Sequence, residues 1–380
     1  SEGNRHRLIS ISDTVKLLLM IENGTVRVSR IVVDPESSAI TSVGAQTAIP
    51  AIASATANMD IIRMTATTAM VSFVGSTGDL RVVILSALDT TITINSETIV
   101  SAATVGQNNL VQVSATAAFV YYDNANNDTI ATYLTVSGTT ITDSGIDNTV
   151  SSHVTDVHAA RGCVKFDTAE TYLFWYRNTT TAATSLRAAT NSAGTLTFGT
   201  AVTMDFSSGS GQMFGHDTTT ALIAYSDNDT SDDIFAREVN VSGTTLTVQT
   251  AVTVQSAVGQ ANGHPTLSQL GTFTYVVAYL GVDTVGPLAN NAWRLFEMSD
   301  SDAISLLGSE FTIAVGANGN SITMALYHSP TRMMVAYFES SGADELEVRT
   351  VDYTHNYGAY IGLVADTNTA VGGTATILLN

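Results

Sequence analysis

Lysine is almost absent from this chain: Lys16 and Lys165 are the only two in 380 residues. With 15 basic residues against 34 acidic ones, the formal net charge is −19. A surface this acidic repels phosphate backbones and anionic bilayers, which argues against nucleic-acid and membrane partners. It suits a protein kept soluble in a salty or extracellular setting. Cys163 is the single cysteine, so a disulfide framework is excluded. It lies in the apolar run GCVKF and reads as a small core residue. His153 and His158 are near it in sequence, but nothing else supports a thiol nucleophile. No apolar window reaches the 18 residues of a membrane-spanning helix. The five prolines mark no linker, so the length is read as one unit. No Gly-rich phosphate loop, G-x-S-x-G elbow or H-E-x-x-H helix motif occurs. The chain starts at Ser1 rather than Met, which reads as an internal start, either processed or part of a longer protein.

What the chain has in abundance is Thr, Ala, Ser, Val, Asn and Gly, the mixture of short strands joined by tight turns. Hydrophobic residues make up 44%, enough for a sizeable core. One motif returns seven times: an apolar strand with a bulky anchor near its end, a polar turn, then a second strand. The copies are LLLMIENG, MVSFVGS, FVYYDNA, LFWYRNT, LIAYSDND, VVAYLGVD and MVAYFESS. Their anchors Met20, Phe73, Tyr122, Tyr176, Tyr225, Tyr279 and Tyr337 are separated by 53, 49, 54, 49, 54 and 58 residues. An all-strand repeat of this period is the signature of a β-propeller, in which no blade buries its faces without neighbours.

The sequence therefore predicts an all-β, seven-bladed β-propeller of four-stranded antiparallel blades. Blades are expected near 5–49, 50–102, 103–152, 153–210, 211–259, 260–317 and 318–365. In the third, 110–114, 118–122, 129–136 and 140–143 read as the four strands. TVSGTTITD (135–143) and NVSGTTLTV (240–248) are near copies, with SAGTLTFGT (192–200) a variant, and Gly supplies the hairpin turn. Residues 366–380 fall outside the repeat. Ala375 to Leu379 is strand-like and is expected to close or cap the ring, or else to pair with another chain.

Candidate chemistry is sparse. Asp227, Asp229, Asp232 and Asp233 crowd the turn after the fifth apolar strand, a spacing loosely similar to the calcium loops of integrin-type propellers. Such Asx-rich turns also form for conformational reasons alone. Asp123 to Asp128 is a weaker version. Asp60, Asp156 and Asp217 are the carboxylates a propeller glycosidase would need at one axial end, with turn capping the competing reading. His216, His264 and His328 fall near blade starts, where a channel lining is one possibility. Trp175 and Tyr176 read as core. Trp293 follows the long loop Gly281 to Asn291, the largest insertion in any blade, and with Asn290 and Asn291 is the candidate contact surface for a ligand, with packing the competing reading for Trp293.

Residues 360–365 (YIGLVA) followed by 368–377 (NTAVGGTATI) resemble a segment at the C-terminus of many bacteriophage tail and fibre proteins. The Thr/Ser/Gly-rich repeats are similar to propellers of such appendages. The resemblance implies a non-enzymatic structural protein on the virion surface, in a homo-oligomer with other tail proteins, whose loops recognise a host glycan or protein. It carries over no catalytic residue. The alternatives are a propeller glycoside hydrolase or lyase acting on host polysaccharide, and a secreted cellular adhesin or lectin.

Overall fold

The computed structural model describes residues 6–22, 25–34, 40–49, 59–88, 91–126, 128–152, 160–166, 170–178, 183–204, 208–227, 233–256, 265–270, 273–282, 289–298, 303–317, 324–329, 332–339, 345–356, 359–364 and 370–371. Its strands form seven sheets, taken here in chain order. The first holds His6–Ser10, Val15–Glu22, Thr25–Val33 and Ile40–Val43. The second holds Met59–Arg63, Thr68–Val74, Leu80–Leu88 and Thr91–Ser101. The third holds Asn108–Ser114, Ala117–Asp123, Thr129–Ser137 and Thr140–Ser151. The fourth holds Cys163–Lys165, Thr171–Asn178, Ala183–Ser192 and Thr195–Phe198. The fifth holds Ser208–Gly215, Thr220–Asp227, Asp233–Ser242 and Thr245–Val248. The sixth holds Thr266–Gln269, Thr274–Val282, Ala289–Met298 and Ile304–Ala317. The seventh holds Met324–Ser329, Arg332–Glu339, Glu345–Asn356 and Ala359–Val364.

Each sheet is built on an antiparallel meander of four strands in sequence order, and in the fifth the short strand Ala160–Arg161 adds a parallel pairing to the first strand. First strands of successive sheets lie side by side, and His6–Ser10 touches both Met59–Arg63 and Met324–Ser329. Sheets set face to face around their first strands make this an all-β β-propeller with four-stranded antiparallel blades. The fourth strand kinks away from its neighbour in every sheet. In the second, third and sixth a bulge lets the same long strand resume pairing. In the others a separate short piece pairs with the third strand: Thr47–Ala48, Val202–Thr203, Val252–Gln255 and Ala370–Val371. The last of these belongs to the tail, where Ala370 and Val371 pair with Glu347 and Leu346. The strand expected at Ala375 to Leu379 lies outside the described residues.

The repeated motif is the second strand, and its composition explains its place. Thr68–Val74, Ala117–Asp123 and Thr220–Asp227 are buried along nearly their whole length. A strand flanked by sheet on both faces has no polar side to offer. The hairpins between third and fourth strands use glycine as expected. Gly138 and Gly243 each have φ of 60°, while Ala193 and Gly194 are at 51° and 93°. The two-residue turns are therefore of the primed kind, with the twist a hairpin needs.

Polar side chains fasten several of the first strands to the next. Asp60 Oδ2 accepts the Leu110 N–H at 2.8 Å, Asn109 Oδ1 that of Gly162 at 3.2 Å, and Gln212 Oε1 that of Leu267 at 3.0 Å. These three acceptors hold one repeat position, facing Ser72, Tyr121 and Ala224 across their ladders. Further along, Gln112 Nε2 donates back to the Met64 carbonyl at 2.8 Å, and Lys165 Nζ to that of Val113 at 2.6 Å. Edge groups in or beside the first strands, at Met64, Leu110, Val113, Gly162 and Leu267, which would otherwise face the axis unpaired, are thus satisfied by a neighbour. The other lysine is structural too. Lys16 Nζ donates to Ser10 Oγ at 2.8 Å and to the carbonyls of Ser12 at 3.0 Å and Asp13 at 3.2 Å.

Candidate functional site

The residues singled out from sequence are mostly committed to the framework. Asp60 has Arg7 Nε at 3.5 Å besides its amide contact, and both belong to the inter-sheet fastening. Asp217 accepts the N–H groups of Thr219 and Thr220, each at 2.7 Å. Ser12, Thr65 and Ser114 make the same kind of contact in the corresponding turns of the first three sheets. Asp217 is therefore one version of a repeated turn cap. Burial pushes its carboxyl up, but the Thr219 and Thr220 hydrogen bonds outweigh that and hold it below the ordinary carboxylate value. A depressed carboxyl stabilises the fold above its unfolded pKa and loses that contribution as pH falls through its folded value. Asp217→Ser should keep the turn and remove its share of the acid sensitivity below about pH 4. Urea midpoints measured between neutral pH and pH 3 check this, and parallel profiles for the two proteins would count against it. Asp156 lies outside the described residues, as do His153, His158 and His264.

His216 lies where the fifth sheet meets the sixth. It follows the first strand of the fifth sheet, and its Nδ1 hydrogen-bonds Tyr275 Oη of the sixth, with Phe273 5.7 Å away between ring centroids. His328 lies in the first strand of the seventh sheet. Cys163 is half-buried against Phe174 and its neighbours, and burial pushes its thiol well up, so it stays protonated. Of the candidate calcium ligands, Asp227 and Asp233 face each other across the base of their hairpin, while Asp229 and Asp232 lie outside the described residues. No group of three His, Cys, Asp or Glu side chains able to hold a metal occurs among the described residues.

The expected long loop Gly281 to Asn291 is shorter than its composition suggested. Gly281 pairs with Asn290, Val282 with Ala289, and Leu280 with Asn291, so the ladder runs into the segment from both sides. The Gly, Asn and Ala there are compatible with a ladder whose strands pair through their backbones, and only 283–288 separate the two strands. Asn290 and Asn291 are strand residues. Trp293 pairs with Ala278, the position that Leu186, Ala236, Ala131 and Val82 hold in other sheets.

Among the described residues a cavity lies elsewhere, in the outer part of the gap between the fourth and fifth sheets. It measures about 560 Å³ and is lined by Arg187, Phe198, Gly199, Thr200, Val202, Thr244, Thr245 and Leu246. Arg187 is locked in place. Its Nε donates to the Gly199 carbonyl at 2.9 Å and its Nη1 to that of Val150, in the third sheet, at 2.5 Å. Its Cζ sits 4.7 Å from the centre of the Phe198 ring. An ideal Cβ on Gly199 would lie 2.0 Å from the Thr244 carbonyl oxygen, so only glycine lets the two sheets approach here.

The neighbouring gap explains why this one is open. Between the third and fourth sheets, Asn148 donates Nδ2 to the carbonyls of Ala131 at 3.1 Å and Gly194 at 3.0 Å, and accepts the Leu196 N–H at 2.8 Å. The Tyr133 ring lies directly over Gly194. Between the second and third sheets, Thr98 holds the Asn148 position and donates to the Ile141 carbonyl at 3.2 Å. In the fourth sheet these places belong to smaller or apolar residues. Ala188, facing Leu173, stands where Tyr133 faces Phe119, and Val202, facing Leu186, stands where Asn148 faces Ala131. Arg187 replaces Thr132. Two plugs are gone and a guanidinium is added.

Comparison with known proteins agrees with this architecture. No protein-family model matches the sequence, and no curated protein does either. Among solved structures, the BP39L lectin from Burkholderia pseudomallei is similar with a TM-score of 0.63, 14% identity, and coverage of 93% of this chain and 96% of that one. AofleA from Arthrobotrys oligospora matches with a TM-score of 0.53 and 10% identity, over 84% of this chain and 91% of its own. A putative 6-phosphogluconolactonase from Bacteroides uniformis has a TM-score of 0.60 and 8% identity, over 94% and 98%. At such identities the likeness shows the propeller fold alone. None of these three is a phage tail protein.

Arg187 was legible in principle. Aligned on the anchors, Arg187, Arg237, Arg294 and Arg349 occupy one position of the third strand, facing Phe174, Ile223, Val277 and Val335. In a chain with 15 basic residues, four at one repeat position are a signal. Arg294 Nη1 also reaches back to a carbonyl of the preceding sheet, that of Val254.

Proposed function

We propose that this chain is a carbohydrate-binding propeller without catalytic activity, with a ring of seven blades and a ligand seat in the cleft between its fourth and fifth sheets. The cleft carries the reading. Its volume suits one or two sugar rings, its walls offer a fixed guanidinium and the hydroxyls of Thr200, Thr244 and Thr245, and Val202, Leu246 and Phe198 supply apolar surface. The seven sheets and the cyclic contact of their first strands support the blade number. The engagement of Asp60 and Asp217 with backbone amides supports a binding rather than a hydrolytic role. Lectins among the structurally similar proteins make carbohydrate the ligand class to test. Display on a virion, implied by the resemblance of residues 360–377, would place the glycan on a bacterial surface and let many weak contacts add through avidity. In that setting Trp293, Asn290 and Asn291 form a second candidate contact.

Purified protein applied to a panel of immobilised bacterial polysaccharides should be retained without releasing shortened product. Thr245→Trp, which fills the cleft from an exposed position of its lining, should lose retention and keep its thermal midpoint. Release of product, or full retention by the Thr245→Trp protein, would overturn the assignment.

A further inference from the structure

Arg187 is the only charged residue lining the cleft, and no carboxylate pairs with it among the described residues. That is unusual in a chain where acidic residues outnumber basic ones by 34 to 15. Both of its protein partners are neutral carbonyls. A guanidinium has five N–H donors in a rigid fork, and these contacts use two, leaving the Nη2 amino group and one Nη1 N–H. The two carbonyls and the Phe198 ring fix the plane of the fork where Arg187 borders the cleft. A fixed planar cation with no anion of its own is matched by a carboxylate, which it can bind through two parallel hydrogen bonds. The remaining lining, three threonines beside apolar groups, suits a ring bearing hydroxyls rather than a second charge.

Resting on the carbohydrate reading above, we infer that the cleft selects an acidic sugar, a pyranose whose carboxylate pairs with Arg187 and whose hydroxyls meet Thr200, Thr244 and Thr245. The polyanionic surface of the protein opposes such ligands at long range, so the preference must be local and set by this one side chain.

Calorimetric titration at neutral pH with matched pairs tests this: galactose, galacturonate and its uncharged methyl ester; glucose and glucuronate; and N-acetylneuraminate. A carboxylate sugar should bind about 10- to 100-fold more tightly than its neutral partner and, for galacturonate, its ester. Arg187→Met should erase that preference, and Arg187→Lys, which keeps the charge but not the fork, should recover only part of it. If Arg187→Met fails to fold, the acid-to-ester ratio on the unaltered protein decides alone. Equal binding of acidic and neutral sugars, blocked by Thr245→Trp, would overturn the acidic preference and leave the carbohydrate reading in place. Binding of no sugar in the panel would overturn both.

Discussion

Trp175→Ala should lower stability by about 3–5 kcal/mol, the range for removing a large aromatic side chain from a core that cannot collapse. Trp175 is 1% exposed, and its surroundings are built to its outline. Gly162 and Gly211 flank it. A Cβ on Gly162 would stand 2.5 Å from the Trp175 Cβ, and one on Gly211 would stand 2.2 Å from its Cη2. Gly162, just before the first strand of the fourth sheet, and Gly211, within that of the fifth, therefore let the backbone close over the indole because neither has a side chain. For the same reason neither has anything to swing into the void once the indole is gone. Gly211→Ala should be destabilising as well, by about 1–3 kcal/mol, since its methyl meets the ring and the Ala224 carbonyl oxygen at 2.6 Å. The double variant should cost less than the sum of the two, because the methyl then enters space the ring has left. Urea unfolding of the four proteins measures the coupling, and strict additivity would refute this account of the packing.

What sequence revealed and what it concealed divides along a physical line. The apolar second strands were legible because burial on both faces removes polar residues from five or six consecutive positions, as in Ala117–Asp123 and Thr220–Asp227. The hairpin turns were legible because Gly138, Gly194 and Gly243 satisfy a backbone requirement that is local. Trp175 and Tyr176 were correctly placed in the core, at 1% and 4% exposure. The acids were harder. Asp60 has a neighbour 50 residues away in Leu110, so nothing within its own strand distinguishes a fastener from a catalytic carboxylate. The segment Gly281 to Asn291 hid its strand ends because a ladder there requires only backbone pairing, which Gly, Asn and Ala supply without any alternation of polar and apolar side chains. The cleft was hidden for a further reason. It arises from what Ala188 and Val202 fail to do compared with Tyr133 and Asn148, and small or apolar residues in a strand carry no local mark of a missing plug.

Asn148→Val should cost about 2–4 kcal/mol, although valine is the residue that the fourth sheet uses at the same place. Asn148 is 7% exposed and makes three hydrogen bonds, two of them to the next sheet. Valine leaves the Leu196 N–H and the Gly194 carbonyl without these partners in a gap still covered by Tyr133. A buried backbone group stripped of its partner costs about 1–3 kcal/mol, more than the bond itself contributes. In the fourth sheet Val202 carries no such cost, because the cleft beside it is open and water can serve the facing strand. The same residue is thus neutral in one gap and damaging in the other. Adding Tyr133→Ala to Asn148→Val should open the third gap to solvent and return part of the polar cost, at the expense of the packing the ring supplies. Amide hydrogen exchange at Leu196 distinguishes the two situations. It should accelerate in the single variant by at least the factor that its loss of stability implies. Unchanged protection at Leu196 would mean that Asn148 is not what holds these sheets together, and the explanation for the open cleft beside Val202 would fall with it.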